Sequence, residues 1–214
     1  MNGISDFNSV LVFLGMKIVW IVESSLIQSA FEHTNNRPAG ANLGLEKYGV
    51  QLVWVGMRGM KWENLMSLIS GLLNCYGLPH AIMIHCGEND IGNWKTPCGL
   101  LIQQMKVAFA HILFELPGTA IIWSNISPRL KWRTSPNVVK MNRTRKRVNR
   151  FARSHLLRCK CYILKHPDFD DILPSLFDDG IHLLFFGNGI FINSIQGALE
   201  TFFSNPHTHI YPYD

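Results

Sequence analysis

Charge is scarce in this chain of 214 residues: 16% are Asp, Glu, Lys or Arg, against 47% hydrophobic. That excludes a self-repelling, extended polymer and leaves a globular core as the default. Acidic residues are missing altogether from one long stretch, since Arg129 to Arg158 holds 11 of the 20 Lys and Arg and no Asp or Glu. A block of +11 therefore sits against a remainder of −6, within a net charge of +5. Cysteine is sparse as well. Cys75, Cys86, Cys98, Cys159 and Cys161 are odd in number and irregularly spaced, which argues against a secreted disulfide framework and for a reduced, intracellular, cytoplasmic setting. Cys159 and Cys161 lie near His155 and His166, but no second close pair completes a zinc set, so no metal is expected. There is no internal repeat and no low-complexity segment. Long hydrophobic runs are absent too: Lys17 separates Val10–Gly15 from Ile18–Val22, Asp6 lies ahead, and no basic residue precedes them. Neither a secretory signal nor a membrane span fits, and residues 1–16 read as a lead-in.

What is present is a repeating alternation. The length suits one domain with a substantial core. Ile18–Val22 has the β-branched and aromatic composition of a fully buried strand, and it stops at Glu23, Ser24 and Ser25 before a helical segment from Leu26 to His33. Gln51–Val55 is a second strand, leading through GMRGMKW into an amphipathic helix from Trp62 to Leu73. Ala81–His85 is a third, followed by CGENDIG and a helix from about Leu100 to Leu116. Ala120–Trp123 and Cys161–Leu164 are the fourth and fifth, flanking a basic helix from Asn137 to Leu157. A last helix, Leu184–Phe203, carries Gly187 and Gly189 near its start, which weaken it. The tail from Asn205 to Asp214 has no periodic pattern and reads as a loosely held end.

Strands alternating with long helices predict an α/β fold: a three-layer α/β/α sandwich on a five-stranded parallel, flavodoxin-like doubly wound sheet. The domain is expected over residues 17–204, with 205–214 as its tail. Ligands of such sheets sit at the carboxyl ends of the strands, where strand order reverses. Ser25, Gly59 and Asn89 follow strands one, two and three, and would meet there.

Four pieces now stand in one order: ESSL around Ser25, RGMKW around Gly59, GEND around Asn89, and DGIH from Asp179 to His182. Together they supply a hydroxyl, a base, a carboxylate to orient the base, and donors for an oxyanion, the needs of acyl transfer by serine. In this set and order the chain resembles the SGNH (GDSL-like) hydrolase superfamily, from about Lys17 to Phe203. More narrowly, RPAGANLGL, KTPCGLL, SNISPRLKWR and NSIQGALE are similar to SGNH-like domains of fish and other vertebrates, some associated with mobile elements. The resemblance implies a serine esterase acting on a short acyl or acetyl ester with no cofactor. It implies Ser25 as nucleophile, His182 as general base and then acid, and Asp179 as the carboxylate that holds the imidazole. The backbone N–H groups of Ser25 and Gly59 and the side-chain amide of Asn89 would form the oxyanion hole.

Each piece also has a purely structural reading. Ser24 and Ser25 would serve as an N-cap pair, Asn89 and Asp90 as a cap or turn, and Gly59 as a residue of positive φ. Asp179 would cap the last helix, and His182 would be an ordinary cleft histidine. The chain also departs from the family pattern. Glu23 stands where the family has glycine, bringing bulk and a charge that favours the protonated form of His182. Ser24 stands where the family commonly has Asp, and is a fallback nucleophile. The alternative to an enzyme is a weakened or inactive SGNH-fold binding module. Its basic helix, through Arg143, Lys146, Arg147 and Arg150, would engage nucleic acid or an acidic partner rather than merely face solvent.

Overall fold

In the computed structural model, residues 15–23, 25–171 and 173–213 are described, without the side chains of Glu23, Ser25, Ile27 and Gln28. Among the described residues six strands form one sheet: β1 Lys17–Glu23, β2 Val50–Gly56, β3 Ala81–His85, β4 Ala120–Ser124, β5 Tyr162–Leu164 and β6 Ile210–Tyr211. All pairs are parallel and the order is β2-β1-β3-β4-β5-β6. The helices are α1 Ser25–Thr34, α2 Leu65–Tyr76, α3 Cys98–Glu115, α4 Val138–Arg158 and α5 Phe185–Ser204. Sequence reading gives five strands, and the sixth is the correction. Ile210–Tyr211 is too short to show a hydrophobic period and is held by backbone bonds instead, Ile163 N to His209 O at 2.8 Å and Lys165 N to Tyr211 O at 2.6 Å. Part of the 205–214 tail is thus an edge strand.

Strand β1 explains why its sequence is an unbroken apolar run. Ile18, Trp20 and Val22 point into a layer shared with α2, α3 and α4, while Val19 and Ile21 point into the opposite layer with α1 and α5. A strand covered on both faces has no solvent side to alternate with. Residues 19–22 are 0% exposed. Aromatic packing anchors the first layer, with Trp62 edge-on to Phe109 at 5.6 Å between centroids and Phe109 edge-on to Trp123 at 6.0 Å. Such pairs contribute about 0.5–1.5 kcal/mol each beyond area burial.

The basic helix α4 begins at a cap in which Asn137 Oδ1 accepts the Lys140 N–H at 2.9 Å. Arg143, Lys146, Arg147, Arg150 and Arg158 are exposed on it, whereas Arg145 turns inward and is buried. Among the described residues no helix is long and apolar enough to cross a membrane.

The order reverses between β1 and β3, so the crevice beyond their carboxyl ends is the switch point of the sheet. Register puts Glu23 level with both Gly56 and His85. The loops that follow the three strands therefore leave the sheet at one height.

Candidate functional site

Ser25 opens α1 directly beyond β1, where the unpaired N–H groups of a helix's first turn concentrate positive potential. Its side chain lies outside the described residues, and so does all of Ser24, the fallback nucleophile. Gly59 lies in the turn after β2 with φ +70°. A Cβ there would meet nothing within 4 Å, so backbone conformation rather than space calls for glycine.

The loop after β3 is stitched to the one after β2. Asn89 Nδ2 donates to Met60 O at 3.0 Å, and Asp90 Oδ2 accepts the Trp62 N–H at 2.9 Å. Neither residue caps the next helix, because α3 begins at Cys98 after Pro97 with no side-chain cap. An amide carries two N–H bonds, so Asn89 keeps a second donor after serving Met60. Burial, reinforced by the nearby Glu88 charge, pushes the Asp90 carboxyl up to about 6 despite its bond from Trp62.

DGIH folds as a closed turn. Asp179 Oδ1 accepts the backbone N–H groups of Ile181 and His182, both at 2.8 Å, and Oδ2 lies 2.8 Å from His182 Nδ1. Gly180, at φ +84°, lets the chain reverse, and its carbonyl accepts the Lys131 N–H at 3.0 Å, fixing the turn to the loop after β4. The last helix starts at Phe185 with Leu184 at its cap, so Asp179 does not cap it. Partial burial pushes the Asp179 carboxyl up. The hydrogen bonds from His182 and Ile181 outweigh that and hold it well below the usual carboxylate range. A carboxylate on Nδ1 assigns the proton to that nitrogen and leaves a lone pair on Nε2. His182 Nε2 is buried and has no hydrogen-bond partner among the described residues.

One small cleft gathers walls from these segments. Leu26, next after Ser25, lines it with Ile181 and Leu183, which flank His182, and with His85 and Glu88.

Several buried polar residues near the site escape sequence reading. Glu88, 2% exposed, lies 3.6 Å from Arg129, 5% exposed. A chain of bonds includes His85, on which the Arg129 charge acts: His85 Nδ1 to Ser124 Oγ at 2.8 Å, and Ser124 Oγ to His166 Nε2 at 2.7 Å. Burial, then the Arg129 charge, pushes His85 down to about 3, and burial holds His166 well below its ordinary value. Both shifts favour the neutral imidazole. The only signal in the sequence was a polar residue at the carboxyl end of a buried strand, His85 on β3 and Ser124 on β4. Among the described residues no three His, Cys, Asp or Glu side chains gather to hold a metal ion.

No protein-family model matches the chain, and no curated protein matches it. Solved structures do. A proposed acylhydrolase from Bacteroides fragilis is 12% identical over 94% of this chain and 97% of its own, with a TM-score of 0.69. A GDSL-like lipase from Bacteroides thetaiotaomicron is 12% identical over 95% of this chain and 98% of its own, with a TM-score of 0.64. A catalytic mutant of an acetylxylan esterase from Geobacillus stearothermophilus is 11% identical over 86% and 94%, with a TM-score of 0.61. At these identities the likeness is one of fold: a parallel sheet flanked by helices on both faces.

Proposed function

We propose that this protein is a carboxylic ester hydrolase of SGNH type, acting on a short acyl or acetyl ester. Ser25 Oγ attacks the ester carbonyl as His182 Nε2 takes its proton, and Asp179 stabilises the resulting imidazolium. The oxyanion is met by the backbone N–H groups of Ser25 and Gly59 and by the free N–H of the Asn89 amide. As the tetrahedral intermediate collapses, His182 returns its proton to the leaving alcohol, and an acyl group remains on Ser25. Water activated by the same imidazole then releases the acid.

The observation that carries this reading is the Asp179–His182 pair at 2.8 Å, with Nε2 buried and without a partner among the described residues. The fold shared with lipases and acetylxylan esterases supports it. The test is covalent labelling with a fluorophosphonate, followed by peptide mapping, beside hydrolysis of p-nitrophenyl acetate. Labelling at Ser25, lost in both Ser25→Ala and His182→Ala, is expected. Hydrolysis that persists in Ser25→Ala would remove that residue from its role. Glu23→Gly, which restores the family's residue, is expected to raise kcat/KM by about tenfold.

A second reading rests on α4. Arg143, Lys146, Arg147 and Arg150 are exposed on one helix, and none of them forms an ion pair among the described residues. On this reading the fold is a binding module for nucleic acid or an acidic protein. Tight, strongly salt-dependent filter binding without hydrolysis would favour it, and absence of binding at low salt would end it.

A further inference from the structure

Beyond the carboxyl ends of β4 and β5, beside the crevice described above, lies a polar cavity of about 320 Å³. Asn125, Ser127, Arg145, Lys165, His166 and Asp170 are among its lining residues. Its walls Ile126 and Ser127 also line the cleft next to Leu26 and Ile181, so the two spaces are neighbours.

Arg145 is the unusual member. It is 6% exposed, in a helix whose other arginines reach water. Nη1 donates to Ile126 O at 2.9 Å, and Nε is buried with no partner among the described residues. The carboxylate facing it, Asp170 Oδ1, stands 3.7 Å from Nη2 on a side chain that is 67% exposed. That distance exceeds a hydrogen bond, so a buried guanidinium is left with unused donors and a weak counter-charge. A buried cation in this condition is costly unless something completes its shell.

A second unpaired group meets the same space. His166 is 5% exposed, its Nε2 is engaged by Ser124, and its Nδ1 is buried with no partner among the described residues. Ser127 Oγ and Asn125 Oδ1 are likewise buried and have no partner among the described residues. Arg145 and Lys165 bring positive charge to the lining, and Asp170 brings a carboxylate.

We propose that this cavity binds a small oxyanion, a carboxylate or a phosphate monoester, through the Arg145 guanidinium and the Nδ1–H of His166. Ser127 supplies a further donor, and Lys165 adds positive charge to the wall. The site is independent of the ester-hydrolase reading, since it uses none of Ser25, Asp179 or His182.

The bond chain makes occupancy readable at a distance. Ser124 has one hydroxyl proton, so the chain of two neutral imidazoles has two self-consistent directions. An anion on Nδ1–H of His166 selects the one in which Nε2 of His166 accepts the Ser124 proton. Ser124 must then accept from Nδ1–H of His85. Filling the cavity therefore fixes the tautomer of His85, which lines the cleft beside α1.

The test titrates the full chain with inorganic phosphate and, separately, with sodium acetate, at constant low ionic strength held with chloride. Heat is measured calorimetrically, and the imidazole nitrogens are followed by ¹⁵N NMR. Saturable one-site binding of at least one anion is expected, with His166 moving to the Nδ1–H form and His85 following. Tighter phosphate assigns a phosphate monoester, and tighter acetate assigns a carboxylate. Arg145→Gln is expected to weaken binding by about tenfold or more. Because Arg145 also ties down Ile126, Asp170→Asn is the second variant: it changes an exposed side chain and removes a competing carboxylate, and should tighten binding by about two- to fivefold. Heat that does not saturate beyond the chloride control, or binding that leaves His166 unshifted and is indifferent to Asp170→Asn, overturns the proposal.

Discussion

The Asp179 carboxylate meets His182 twice, through Oδ2 to Nδ1 and through Oδ1 to the backbone N–H, each at 2.8 Å. The backbone bond forms the turn, while the side-chain bond sets the tautomer. Asp179→Asn separates these roles: its carbonyl oxygen can keep the turn, but its amide N–H would face Nδ1 and force the proton onto Nε2. On the ester-hydrolase reading the expected result is a fall in kcat of about 10³- to 10⁴-fold with little change in KM. Steady-state kinetics on p-nitrophenyl acetate, with circular dichroism to verify folding, measures it. A variant within threefold of the parent would show that Asp179 only shapes the loop.

Asp90 sets up a pH dependence of stability with an unusual sign. Its folded-state value is raised to about 6 from 3.8 by burial. Below about pH 4 the carboxyl is protonated folded and unfolded alike, and its contribution is fully present. Between about 4 and 6 the unfolded chain gives up the proton first, so that contribution declines as pH rises and is constant above 6. The loss is at most about 3 kcal/mol. Asp90→Asn keeps an oxygen for the Trp62 N–H and carries no charge. Urea unfolding of parent and variant at pH 4.5 and pH 7 should show the variant gaining on the parent at the higher pH. Equal differences at both would mean that Asp90 stays ionised throughout.

Gly187 and Gly189 look alike in the sequence, both weakening the start of the last helix, yet the packing distinguishes them. A Cβ on Gly187 would stand 2.6 Å from the backbone carbonyl of Leu176 and 3.2 Å from the Leu183 side chain. That carbonyl also accepts the Leu184 N–H at 2.9 Å, so α5 would have to lift away from the segment that carries His182. On Gly189 a Cβ would meet His33 at 3.6 Å, an ordinary contact. Gly187→Ala is expected to cost about 1–3 kcal/mol and to lower any activity of the site. Gly189→Ala should be neutral or stabilising by up to about 1 kcal/mol. Thermal unfolding of the two variants ranks them, and the reverse order would contradict the packing.

The same contrast runs through what the sequence made legible. Strands β1 to β5 and the five helices announce themselves because burial imposes a composition or period on each, and β1 is so apolar because it is covered on both faces. DGIH is legible because its partners lie three residues apart in one turn. Strand β6 carries no such mark, being two residues held by main-chain bonds. Arg145 is hidden inside a run of basic residues, and nothing but the direction of its side chain sets it apart. Ser124 lies 39 residues from His85 and 42 from His166, and no local pattern links residues that meet only when β3, β4 and β5 align.

That buried chain also governs how the fold should respond to its own disruption. Ser124 is 0% exposed and gives its only hydroxyl to two imidazoles. Ser124→Ala removes little volume but strands His85 Nδ1 and His166 Nε2 away from water, a cost of roughly 1–3 kcal/mol for each unsatisfied group. Acid should act on the same place. Both histidines have folded-state values below 6.5, so the unfolded chain binds their protons first. Their contribution is complete above about pH 6.5 and is lost as pH falls, for His85 down to about 3. This trend opposes that of Asp90 in the same window, which is why the parent's net pH profile alone cannot separate them. Combining Ser124→Ala with the Asp90→Asn background isolates the histidine limb. Urea midpoints at pH 7 should drop with Ser124→Ala, and stability in that background should decline from pH 6.5 to pH 4.5. A Ser124→Ala variant as stable as its parent at pH 7 would mean that water replaces the hydroxyl between the two rings.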